Sequence, residues 1–109
     1  MKENFTKVNT REVLDKVIGL PITEWNYRQD AGTRHLGPVA QDFHARFGVG
    51  ADNKHISTVD ADGVALAAIQ GLNQKLEEVV RAKEAELQEL RQRLAKIERL
   101  LANSETLAK

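Results

Sequence analysis

The stretch LAAIQGLNQKLEEVVRAKEAELQELRQRLAKIERLL, residues 66–101, decides how this chain is built. Leu66, Asn73, Val80, Leu87, Leu94 and Leu101 take the a positions of a heptad, and Ile69, Leu76, Lys83, Leu90 and Ile97 take the d positions. Alternating steps of three and four keep one seam of a helix turned toward a partner helix, which predicts a coiled coil. Leu94 at a followed by Ile97 at d, and Leu66 followed by Ile69, is an order that disfavours two strands and favours three or four. Glu86 at g can meet Arg91 at e of a parallel neighbour, and Arg93 at g can meet Glu98. Asn73 and Lys83 cost stability in the seam but penalise slipped registers; the plainer reading is that Lys83 snorkels and Asn73 is tolerated near a fraying start. A parallel homotrimer is the expectation, with a dimer as the alternative.

On the N-terminal side of the seam the composition changes. All five aromatics (Phe5, Trp25, Tyr27, Phe43, Phe47) lie in the first half of the 109 residues, so that half can build a core. The fold expected is α+β: a small head of short helices and a short antiparallel β-hairpin or sheet, followed by the long C-terminal helix. The head is placed at residues 1–62, the coil at 63–103 and a frayed tail at 104–109. A head of this size buries only about 60% of its unfolded surface and is marginal alone. Folding is therefore expected to be coupled to assembly.

Within the head, residues 9–19 read as a helix capped by Asn9 or Thr10, with Glu12 placed to reach back to the cap amide. Val13, Leu14, Val17 and Ile18 form its apolar face, and Gly19 is placed to turn left-handed at its end. Residues 22–27 alternate as a strand with Thr23, Trp25 and Tyr27 on one face. Arg28 to Thr33 reads as a turn, and His35-Leu36-Gly37 as a second short strand. Pro38 suits the first turn of a helix carrying Val39, Ala40, Phe43 and Phe47, closed by Gly48. Gly48 to Lys54 is a loop, residues 55–59 are extended or turn-like, and Asp60 or Asp62 caps a long helix beginning near Gly63.

Sixteen basic and sixteen acidic residues leave no net charge, and they split evenly between the two halves. Neither half has the basic excess of a nucleic-acid or anionic-membrane binder. Cysteine is absent, which excludes disulfides and thiolate chemistry. No apolar run approaches the ~20 residues of a membrane span. His35, His44 and His55 show no metal-ligand spacing, Asp60-Ala61-Asp62-Gly63 lacks the distal glutamate of a calcium loop, and Ser57 has no visible triad partners. No cofactor is implied.

Two blocks add a functional reading. The first runs from Arg34-His35-Leu36-Gly37-Pro38-Val39-Ala40-Gln41-Asp42-Phe43, the second from His55-Ile56-Ser57-Thr58-Val59 through Asp60-Ala61-Asp62-Gly63-Val64-Ala65-Leu66-Ala67-Ala68-Ile69 to Asn73. Together with Lys2-Glu3-Asn4-Phe5, Glu12-Val13-Leu14 and the Pro21–Tyr27 strand, they resemble the C-terminal intramolecular chaperone domain of endosialidases, phage tail spikes and tail fibres. The resemblance implies a homotrimer that aligns three chains, promotes winding of an upstream β-helical client, and is then released by its own serine–lysine endopeptidase activity. It implies a place in the cytoplasm of the infected host during assembly, and absence from the mature virion once cleaved.

In that family a Ser-Asp-x-x-x-Lys motif opens the domain, and Lys2 matches its lysine, the base. The serine would fall upstream of Met1, so the polypeptide as given is expected not to cleave. His35 and Gln41 are expected to grip the client or support the cleavage site, or else to be a hydrogen-bonded strand end and a first-turn helix residue. Residues 28–34 and 48–54 are expected to reach over the client as arms. The alternative to a released chaperone is a permanent coiled-coil trimerisation module.

Overall fold

The first helix, α1 (Thr10–Ile18), starts where the sequence predicts. Asn9 is extended and its side chain accepts the Glu12 N–H at 3.2 Å, filling one of the vacancies at a helix N-terminus. The Glu12 carboxylate does not turn back to the cap; it pairs with Lys16 one turn on, at 3.5 Å. Gly19 ends the helix in the right-handed region, not the left-handed one expected, because the closing bonds run back to Asp15 and Val17. What the absent Cβ gives at Gly19 is space: a Cβ there would lie 3.0 Å from Nη1 of Arg46.

In this computed structural model, which describes residues 1–108, the hairpin follows as β1 (Thr23–Tyr27) and β2 (Asp30–Gly37), paired antiparallel. The register sets Thr23 opposite Gly37, Trp25 opposite His35 and Tyr27 opposite Asp30, with an irregularity between Trp25 and Tyr27. Only Arg28 and Gln29 form the turn, so β2 begins in the segment whose Asp-Ala-Gly composition reads as loop. Cross-strand pairing overrides the weak β propensity of those residues. Residues 30–34 are thus strand, not a free arm.

The second helix, α2 (Ala40–Phe47), starts one residue after Val39, leaving Pro38 outside it. It closes on Gly48, whose φ of 63° is the left-handed conformation that glycine adopts without penalty. The third, α3 (Thr58–Ala108), begins five residues before Gly63. Its cap is Ser57, whose Oγ accepts the Asp60 N–H at 3.2 Å and whose carbonyl accepts the Ala61 N–H at 3.0 Å. Asp60 instead adds a negative charge to the first turn, where the helix dipole favours one.

The result is the expected α+β order ending in a long helix. The chain divides into two units, Met1–Gln74 and Lys75–Lys109. The break falls inside α3, whose first turns complete the head. Leu14 of α1, Leu20 after it, Phe43 of α2 and Ala68 of α3 are the buried apolar residues. Gly71 is buried as well, and a Cβ there would strike the Thr10 carbonyl and stand 3.0 Å from Leu14 Cβ. The second unit is α3 alone, exposed along its length through residue 106. Residues 104–108, expected to fray, continue the helix, and Lys109 lies outside the described residues.

Candidate functional site

Strand alternation puts Trp25 and Tyr27 on one face of the hairpin, and the cross-strand register brings His35 to them. The Trp25 ring centroid lies 5.0 Å from that of Tyr27, edge to face, and 5.0 Å from that of His35. Tyr27 and His35 are 5.3 Å apart. These separations fall in the favourable range for aromatic pairs. Trp25 Nε1 is buried with no hydrogen-bond partner.

The Trp25 and Tyr27 rings form one side of an open groove of about 470 Å³. Its other walls come from the entry to α2 (Pro38, Val39, Ala40, Gln41) and from the segment before α3 (Lys54, His55, Ile56). An Asx turn shapes that last segment. Asp52 Oδ1 accepts the backbone N–H of Lys54 at 2.8 Å and of His55 at 3.0 Å, and both carboxylate oxygens lie 3.2 Å from His55 Nδ1. The Lys54 N–H foremost, then the His55 side chain, holds the Asp52 carboxyl below its ordinary value of 3.8. The groove joins an aromatic wall to an aliphatic one, with an amide and an ammonium at its edge.

The sequence-expected residues divide. Gln41 lines the groove, and His35 stacks on two rings that line it, so the fold brings this pair to one place. Lys2 lies in the exposed stretch of residues 1–9, which has no regular structure, and does not line the groove. Of the last wall, Lys54 belongs to the expected arm 48–54, while His55 and Ile56 stand about thirty positions from Trp25 and no local pattern marks them as lining residues. His44 is half-buried, with Nδ1 3.4 Å from the Val49 carbonyl.

Along α3 the heptad seam is uncovered in the single chain. Leu66 and Ile69 are each 63% exposed, Val80 is 44% and Ile97 54%. Leu76, Leu87, Leu90, Leu94 and Leu101 lie between these extremes, and Asn73 and Lys83 are exposed too. Among the described residues no helix is long and apolar enough to cross a membrane, and no group of His, Asp or Glu side chains is placed to hold a metal ion.

The chain is thus a small α+β head leading into a long helix whose apolar seam stands exposed. Residues 1–48 match the sequence profile of the family described as chaperone of endosialidase, a self-cleaving peptidase family. The family resemblance is thereby shown over the head as far as Gly48, the cap of α2. Comparison with curated proteins and with solved structures gives no match.

Proposed function

We propose that this chain is a trimeric intramolecular chaperone that aligns three copies and promotes folding of an upstream β-helical phage tail spike or fibre. The observation that carries the reading is the family match over residues 1–48. The exposed seam supports the assembly part: nine apolar a and d side chains stand in water on one helix, and burial of each is worth roughly 1.5–3 kcal/mol. Leu66, Ile69, Asn73, Leu76, Val80, Lys83, Leu87, Leu90, Leu94, Ile97 and Leu101 form the interface of a parallel homotrimer. Winding three chains into β structure carries a large association and loop-closure cost before any contact rewards it. A clamp that trimerises first removes the association part.

In this reading the groove beside Trp25 and Tyr27 takes an extended segment of the client, with His35 and Gln41 at its edge. Lys2 is the base of a serine–lysine pair that releases the domain by autoproteolysis. The work takes place in the cytoplasm of the infected host. A lysine acts as base only when its ammonium is destabilised, by desolvation or a nearby cation. In the exposed segment of residues 1–9 that environment has to come from the client junction.

Light scattering across a dilution series tests the assembly: a trimer that persists is expected, and a monomer or dimer overturns it. Joining a reporter protein through Ser-Asp-Ala-Ala to Met1 restores the motif spacing. Cleavage before that serine, abolished by Lys2→Ala, is the expected result, and an uncut fusion sinks the protease half. A client that stays attached, and needs the domain after folding, would favour the permanent trimerisation module instead.

A further inference from the structure

The charges beside the seam change sign from one heptad to the next. Glu86 is followed by Arg93 at g, and Arg91 by Glu98 at e. Within one helix, opposite charges meet only at spacings of three or four. Lys83 and Glu86 do so at 3.3 Å, and Glu77 and Arg81 at 3.8 Å. Arg91 has no such option: the residues at those spacings are Leu87, Gln88, Leu94 and Ala95. Glu98 is in the same position, with Leu94, Ala95, Leu101 and Ala102. Arg91, Arg93 and Glu98 are exposed and form no ion pair among the described residues. The charges of Arg91 and Glu98 can be matched only from another chain.

Apolar packing alone sets the alignment poorly here. From residue 87 on, Leu87, Leu94 and Leu101 are identical a layers, so there a copy displaced by seven residues still puts leucine on leucine, and register is left to Asn73, Lys83 and the flanking charges. The charges discriminate. At zero offset between parallel helices, Glu86 meets Arg91 and Arg93 meets Glu98 of the neighbouring copy, both attractive. A slip of one heptad brings Arg91 against Arg93 and Glu84 against Glu86 in one direction; in the other, Glu86 against Glu98 cancels Arg93 against Glu105, so only zero offset gains two attractive pairs. We infer that Glu86, Arg91, Arg93 and Glu98 form a register lock, an interaction surface for a second parallel copy of this chain that accepts zero offset and rejects a one-heptad slip. The inference rests on the parallel assembly proposed above. It adds what that assembly delivers to a client: three chains handed over level with one another.

The chain has no cysteine, so Ala102→Cys, on the exposed side of α3 away from the seam, gives one attachment site for a nitroxide. Pulsed electron paramagnetic resonance on the labelled full chain is expected to give a single short distance between copies. A one-heptad slip adds an axial offset of about 10 Å. Exchanging the g charges (Glu86→Arg with Arg93→Glu) makes zero offset repulsive and the slipped alignment attractive. That variant is expected to lose the short distance or to dissociate on dilution. Adding Arg91→Glu and Glu98→Arg restores every pair and is expected to bring the short distance back. The lock is overturned if the first exchange keeps the short distance at unchanged mass, or if the fourfold exchange fails to recover it. A labelled chain with its natural charges that scatters as a monomer overturns the assembly itself, and the lock with it.

Discussion

At Gly71 two opposed effects meet on one atom. A glycine inside an exposed helix costs about 1 kcal/mol relative to alanine, so Gly71→Ala stabilises if the position is ordinary helix. Here the missing Cβ is the space occupied by the Thr10 carbonyl and the edge of Leu14. The alanine variant has to push α1 away, and overpacking of that kind costs typically 1–3 kcal/mol. The urea midpoint of Gly71→Ala is therefore expected to fall, and a rise would show that α1 and α3 are not in contact there. Asp52 gives a second prediction. Its carboxyl is held below 3.8 by the Lys54 N–H first and then by the His55 side chain. A depressed folded value means that the turn's stabilisation is complete above 3.8 and drains away as the pH falls through the lowered value. The amide resonances of Lys54 and His55 are expected to move as the pH falls below 3.8 and Asp52 takes up its proton. Asp52→Asn should remove that movement.

The elements show why local signals succeed in some places and fail in others. Ser57 is the cap of α3, so Ser57→Ala is expected to cost about 0.5–2 kcal/mol and to speed amide exchange at Asp60 and Ala61 before the rest of the helix. Unchanged exchange there would move the cap elsewhere. The sequence offered two acidic caps further on, and both were the wrong residue, because Ser57 and Asp60 fit the capping pattern one turn earlier. Gly48 was legible: glycine after an apolar helical face has one common use. The start of β2 was not, since Asp30, Ala31 and Gly32 carry no β preference and are strand only because β1 lies beside them. The groove was half legible. Trp25 and Tyr27 share a face by strand alternation, but Lys54, His55 and Ile56 arrive by tertiary folding, which no local window contains.

For the whole molecule, the burial pattern separates a part with a core from a part without one. The head has a core, small as it is, in Leu14, Leu20, Phe43 and Ala68. Lys75 onward has none of its own, and a lone helix draws most of its stability from packing an apolar face. Leu87→Asp combined with Leu94→Asp is expected to give a monomer whose amides from residue 75 to 106 exchange freely while the amide of Phe43 stays protected. Retained protection along the coil would show that the helix stands without a partner. The same division gives each unit its own optical signal. The single tryptophan, Trp25, sits in the head beside the groove, so its emission reports on the head alone and should shift when the groove is filled. The helix of 51 residues outweighs the nine of α1 and the eight of α2, so circular dichroism at the helix band reports chiefly on α3. Without any label, one melt followed at two wavelengths separates the unwinding of the long helix from the opening of the head.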